Sequence, residues 1–233
     1  MDIQEQVLTQ LRVLNHGFVR LDAAMADDLS VINSARVSFG KRHDQVEDGD
    51  AGLLKFLMKY RHGTPFEHNA FRFHIKAPIF VFREWQRHRI ASYNEMSARY
   101  MELPAEWYIP DPENVRVRVG KPGRYTYELA STEKTLSYLA DLKYDCQRSF
   151  SFYHKHILLG IAPEIARNFL HVNHYSEMYW TTNARSMMNF LSLRNAETAQ
   201  WEIQQFAVAV EEFFKVMMPI TANAFVDLGR VAP

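Results

Sequence analysis

The residues best equipped for chemistry lie between Arg87 and Tyr100: Arg87-His88-Arg89-Ile90-Ala91-Ser92-Tyr93-Asn94-Glu95-Met96-Ser97-Ala98-Arg99-Tyr100. Three arginines, a histidine, a glutamate, two serines and an asparagine crowd into this stretch. The run from Phe71 to Trp85 just before it is rich in aromatics and reads as core. Charged groups set against buried apolar surface need partners, because an unpaired buried charge costs several kcal/mol. Arginine points to an anion as that partner. Its planar guanidinium offers paired donors that match phosphate, and it keeps its charge at neutral pH.

Two further clusters carry reactive side chains. In Asn183 to Arg194, a helix would put Arg185 and Asn189 on one face at i and i+4, with Arg194 at the end where a cation suits the helix dipole. Taken alone, this segment reads as a solvated face over a core of Met188, Leu191 and Leu193. The other cluster, His62-Gly63-Thr64-Pro65-Phe66-Glu67-His68, is a polar turn with an imidazole, a hydroxyl and a carboxylate. A metal site at His62, His68 and His74 is the alternative, but their spacing matches no standard zinc pattern and no cysteine joins them. His154, His156, His171 and His174 lack an acidic residue to complete a set, so no metal is expected.

These side chains need a scaffold. Gly17 to Leu21 reads as a strand, and Asp27-Asp28 caps a helix running to about Ala35. Ala51 to Tyr60 is a second helix, with Leu53, Leu54, Leu57 and Met58 on one face, ended by the Gly63 to Pro65 turn. Phe71, Phe73 and Ile75 alternate with Arg72, His74 and Lys76, the period of a half-buried strand. Pro78 then opens a helix that presents Phe82 and Trp85 on one face. Leu103 to Pro122 reads as irregular, and Tyr125 to Leu159 as one long helix. Pro163 starts another helix, His174 to Thr181 is a strand, and Asn183 to Leu193 and Ala196 to Met218 are helices, the last stopped by Pro219. Strands and helices mix without the regular alternation of a doubly wound sheet. The expectation is an α+β fold, a single domain over 1–233 with a mixed or antiparallel sheet and long helices.

Composition narrows the function. The chain has 233 residues, 47% of them hydrophobic, enough for a sizeable core and unlike a disordered chain. Lys+Arg and Asp+Glu balance at 27 each, which argues against nucleic-acid binding and makes the arginines a local concentration suited to one small anion. The single cysteine, Cys146, excludes an internal disulfide and reads as a structural thiol within a helix. Met1 to Gln6 shows no secretory leader and no apolar run is long enough to span a bilayer, so a cytoplasmic protein with no membrane partner is expected. No G-x-G-x-x-G fingerprint marks a Rossmann-type dinucleotide site.

Arg87 to Tyr100 resembles, at every fixed position, the signature R-H-R-x-x-S-x-N-E-x-S-x-R-Y of the flavin-dependent thymidylate synthases. Asn183 to Arg194 is similar to that family's N-x-R-S-x-x-N-F-x-x-L-R, and His62 to His68 to its H-x-T-P-F-E-H. The resemblance implies that family's fold and the reductive 5-methylation of dUMP to dTMP without a cysteine nucleophile. Methylenetetrahydrofolate would give the carbon and reduced FAD the hydride, with NADPH restoring the flavin, in a homotetramer whose active sites lie at subunit interfaces. The nucleotide would be held by Arg87, Ser97, Arg99 and Arg167, in a stretch that also includes Glu84, Gln86 and Glu95. Arg194 would face the uracil and stabilise charge at N3/O4, and His62 would lie near the flavin ring and the folate. Flavin contacts would come from Thr64, Glu67, Arg87, His88, Arg89, Asn94, Glu95, Asn183, Arg185 and Asn189.

Three positions depart from the family pattern. Glu84 stands where many relatives have glutamine, Thr198 where some have histidine, and His171 where proline is common. Glu84 keeps open a sibling activity, 5-methylation of another uridine nucleotide such as UMP. A non-catalytic nucleotide- or RNA-binding module is the more distant alternative, which the zero net charge disfavours.

Overall fold

A computed structural model describes residues 10–233, so Met1 to Gln6 lies outside the described residues. The hairpin β1 (Gln10–Val13) and β2 (Gly17–Met25) precedes helices α1 (Asp28–Arg36) and α2 (Asp50–Lys59). Strand β3 (Ala70–Pro78) runs directly into α3 (Ile79–Trp85), and β4 (Ser92–Glu95) holds the middle of the charged signature. The hairpin of β5 (Arg116–Lys121) and β6 (Arg124–Leu129), long α4 (Thr132–Leu158) and one-turn α5 (Pro163–Ala166) lead to β7 (Tyr175–Thr182). Helices α6 (Ala184–Arg194), α7 (Trp201–Met217) and α8 (Pro219–Asp227) follow.

The main sheet has the order β1-β2-β3-β7-β4, and each neighbouring pair is antiparallel. Alternation along β3 fixes its faces: Phe71, Phe73 and Ile75 are fully buried, while Arg72, His74 and Lys76 line the open side. Phe73 lies opposite Leu21 and Trp180 in the ladders, stacks on Trp180 at 5.5 Å and meets Phe213 of α7 edge-on at 5.9 Å. Burying side chains of this size stabilises by about 1.5–3 kcal/mol each, so α7 lies clamped against the sheet. Asp27 caps α1 by accepting from the Ser30 amide at 2.6 Å. Buried Asp28 serves another helix instead, accepting from the Ile220 and Thr221 amides at 2.9 Å where α8 begins.

The α+β reading fits this architecture, with several local corrections. Residues 124–129 are strand rather than the start of the long helix, and residues 116–121, read as irregular, pair with them. Gly120 and Gly123, at φ 97° and 81°, turn the chain between them, and Tyr125-Thr126-Tyr127 favours the extended state that results. The last sheet-packing helix starts at Trp201, not Ala196. Pro219 both follows its end and opens α8, as proline can in a first turn. Leu193, expected in the core, is 56% exposed, whereas Met188 and Leu191 are buried as expected.

Candidate active site

Arg194 ends α6 where the C-terminal end of α3 meets it. Its Nη1 donates to Glu84 Oε2 at 2.9 Å, its Nη2 to the Glu84 carbonyl at 3.2 Å, and its Nε to His88 Nε2 at 3.1 Å. A guanidinium suits this place because the end of α3 turns the Glu84 carbonyl toward it. Burial, reinforced by Arg194, lowers the His88 pKa to about 4, so the imidazole is neutral at pH 7 and accepts at Nε2. Burial raises the Glu84 carboxyl above its ordinary value; Arg194 opposes that shift and Glu202 adds to it.

Beside this knot lies a cavity of about 450 Å³, walled by Glu67, Arg87, His88, Arg89, Arg185 and Asn189, with Trp180, Thr182 and Ser186 behind them. Arg185 and Asn189 share the cavity face of α6, as their spacing requires. Arg185 is fixed twice, by Glu67 Oε1 at 2.5 Å and by the Pro233 carbonyl at 3.0 Å. A Cβ at Gly63 would overlap that guanidinium, so the glycine permits the close approach of loop and helix. Arg87 and Arg89 form no ion pair among the described residues, and their forks remain free for an anion.

The structure does not bring every expected residue to this cavity. Exposed His62 stacks on Phe56 at 5.8 Å, and Thr64 opens the short 3-10 turn that carries Glu67. Asn183 caps α6 by accepting from the Ser186 amide at 2.8 Å. Gln86 donates to Glu95 at 3.2 Å, and Asn94 and Glu95 lie exposed on β4 at the sheet edge. Ser97, Arg99 and Arg167 form a separate group: Arg99 Nε meets Glu164 Oε2 at 2.8 Å, and Arg167 Nε donates to the Glu164 carbonyl at 3.2 Å. The Ser97 hydroxyl accepts from the Arg99 amide at 3.3 Å. Arg87, Arg89, Asn94, Glu95 and Arg99 are all exposed, so the signature is not the buried charge cluster its neighbours suggest.

Sequence reasoning missed Glu164 and the Ala232-Pro233 edge of the cavity, because neither belongs to a dense polar motif. Cys146 is buried and accepts from Asn173 Nδ2 at 3.2 Å, and burial pushes its pKa up, so it is not poised as a thiolate. Among the described residues, no three His, Cys, Asp or Glu cluster as metal ligands, and no helix is long and apolar enough to cross a membrane. The donor set does fit a flavin dinucleotide. Forked cations meet the charge of a diphosphate, and a cleft of this volume lies in the range that holds cofactors.

Known proteins agree with this chain over nearly its whole length. The family model described as thymidylate synthase complementing protein matches residues 20–220. A flavin-dependent thymidylate synthase from Thermosipho africanus is 43% identical over 220 residues, covering 94% of this chain and 95% of that protein. One from Tropheryma whipplei is 45% identical over 226 residues, covering 92% and 94%. The solved UMP/dUMP methylase PolB from Streptomyces cacaoi, bound with 5-Br UMP, matches with a TM-score of 0.86 at 39% identity, covering 97% of this chain and 100% of that one. Its 5-Br dUMP complex matches with a TM-score of 0.87 at 40% identity, covering 96% and 100%.

Proposed function

From a chain that belongs to the flavin-dependent thymidylate synthase family, we propose reductive 5-methylation of dUMP to dTMP as the activity, carried by one catalytic domain over residues 1–233. The observation that carries this reading is the shared cavity wall: signature arginines Arg87 and Arg89 stand with Arg185 of a distant motif around one cleft.

FAD, when bound and reduced, supplies a hydride, with methylenetetrahydrofolate as carbon donor and NADPH as reductant. Arg87, Arg89, Arg185 and Asn189 would hold the cofactor, with Glu67 keeping Arg185 in place. On the family resemblance Thr64, His88, Asn94, Glu95 and Asn183 would also contact the cofactor, and His62 would lie near its ring and the folate, although only His88 of these lines the cavity within one chain. Arg99, Arg167 and Ser97 receive the nucleotide phosphate together with Arg87, while Glu84, Gln86 and Glu95 flank the nucleotide. Glu164 holds two of these arginines together until the phosphate arrives. Arg194 stabilises negative charge at N3/O4 as the pyrimidine is activated. A fixed donor in that role contributes about 2.7–4 kcal/mol, or ~10²–10³ in rate. No thiolate attack is needed, in keeping with the buried Cys146.

The separation of the Arg99 group from the flavin cavity supports a homotetramer in which neighbouring copies complete each other's sites. A cytoplasmic setting accompanies this reading. A second substrate, UMP, is favoured by the carboxylate of Glu84 at the nucleotide stretch and by the likeness to a UMP/dUMP methylase.

The test is anaerobic reduction of the FAD-loaded protein, then reoxidation with methylenetetrahydrofolate and either dUMP or UMP. Reoxidation with dTMP formed from dUMP is the expected result. Reoxidation by UMP alone replaces dUMP with the second substrate, and failure to retain flavin overturns the enzyme reading.

A further inference from the structure

All three contacts that hold Arg194 come from one short stretch, the end of α3 and the turn behind it. They use three of its five N–H groups and leave one on each η nitrogen. A long side chain with about 2 kcal/mol of rotamer entropy does not hold one orientation unaided. The Glu84 side chain supplies the one bond in this set in which both donor and acceptor are charged, stronger than the bonds to a neutral carbonyl or ring nitrogen. Glu84 stands in the last turn of α3, its carboxylate is 27% exposed, and Arg194 is its only ion-pair partner among the described residues. The relatives with glutamine at this position would offer Arg194 a neutral amide oxygen instead.

We propose that Glu84 is a positioning residue for Arg194, its carboxylate fixing the guanidinium so that the two uncommitted N–H groups meet the pyrimidine. This rests on the role of Arg194 given above, and it adds to the place of Glu84 beside the nucleotide a hold on the catalytic guanidinium. The charged groups facing Glu84 are Arg194 from α6 and Glu202 from α7, with His88 on the other side of the guanidinium. Protonating Glu84 removes the charge that orients Arg194, so the chemical step loses rate as pH falls through the Glu84 pKa. Burial sets that pKa above the ordinary carboxylate range, which brings the acid limb toward neutral pH.

The experiment uses FAD-loaded wild type, Glu84→Ala and Glu84→Gln. Single-turnover flavin reoxidation is followed at saturating nucleotide across pH, alongside nucleotide and FAD affinities. Glu84→Ala is expected to slow reoxidation at saturating nucleotide ~10–100-fold, the scale of a misplaced catalytic group, with FAD affinity almost unchanged. Glu84→Gln, whose amide oxygen still accepts from Nη1, recovers most of the rate at alkaline pH and lacks the part of the acid limb that Glu84 sets. Any limb from His88 survives that substitution. Loss of nucleotide affinity in Glu84→Ala without a slower saturated rate would overturn the proposal, as would an acid limb in Glu84→Gln at the same pH as in wild type. Turnover of the variants equal to wild type sinks this inference alone. A wild type that reoxidises with neither nucleotide sinks the functional reading and this inference with it.

Discussion

The wall around Arg185 and the surface around Arg99 carry the same side chains in opposite settings. Arg185 and Arg194 spring from one helix packed on the sheet, and each is pinned at two or more points by other elements. Arg99 and Arg167 lie exposed, joined through one glutamate that is itself 46% exposed. A surface ion pair of that kind contributes about 0–1 kcal/mol and competes poorly with a dianion. The braced region is therefore fixed within one chain, whereas the exposed region is the one that the proposed homotetramer would complete. That contrast sets distinct expectations for substitutions in the two regions.

The largest effect falls in the braced region. Arg194→Ala should keep its flavin yet lose ~10²–10³ in turnover, since the fixed cation acts on the reacting ring rather than on cofactor binding. Bound-flavin absorbance beside single-turnover rates checks this, and unchanged turnover would remove Arg194 from the chemistry. Arg99→Ala should instead weaken nucleotide binding by ~10–100-fold, the loss of a charge-assisted bond worth about 1.5–3 kcal/mol, and leave FAD affinity alone. Equal losses of both ligands would erase the distinction between the regions. Co-expressing the two variants tests it further. If one copy supplies Arg99 to the cavity of another, mixed assemblies regain activity that neither variant shows alone. A mixture that stays inactive puts both groups of residues on one chain's site.

A smaller effect is expected where the loop meets α6. Gly63→Ala inserts a methyl against an Arg185 guanidinium already tied to Glu67 and the Pro233 carbonyl. The side chain must shift, and FAD affinity should fall by about tenfold, or 1.4 kcal/mol, in a fluorescence titration. Unaltered affinity would show that Arg185 does not hold the cofactor.

Legibility in the sequence follows the same divide. Alternation in Phe71, Phe73 and Ile75 named the sheet core, and the i, i+4 spacing of Arg185 and Asn189 put both on one helix face, the face that lines the cavity. Pairings between elements were illegible: Glu84 with Arg194, Glu67 with Arg185 and Glu164 with Arg99 join residues far apart in sequence, with no local period to announce them. The β5–β6 hairpin was hidden because its second strand abuts a strong helix, and only the glycines at 120 and 123 mark the boundary. Exposure of the signature was misjudged for a related reason. Apolar neighbours before it belong to α3, but the chain turns outward after Trp85 and leaves Arg87 and Arg89 in the open.

The finest distinction between the two regions is a stability slope, and His88 supplies it. Its pKa in the folded protein is about 4, against 6.5 as the ordinary value, because burial and then Arg194 disfavour the imidazolium. Between those limits the unfolded chain binds a proton that the folded chain refuses, so His88 makes stability fall as pH drops from about 6.5 toward about 4. Above 6.5 both states are neutral and the contribution is flat. The ring is only part-buried, so the loss is about 1–2 kcal/mol once solvent screening is discounted. His88→Gln can still accept from Arg194 Nε through its amide oxygen but does not titrate. Denaturant unfolding at pH 7 and pH 4.5 should therefore show a smaller pH difference in the variant than in wild type. No such difference would place the His88 ring in solvent and detach Arg194 from the bracing that separates it from Arg99.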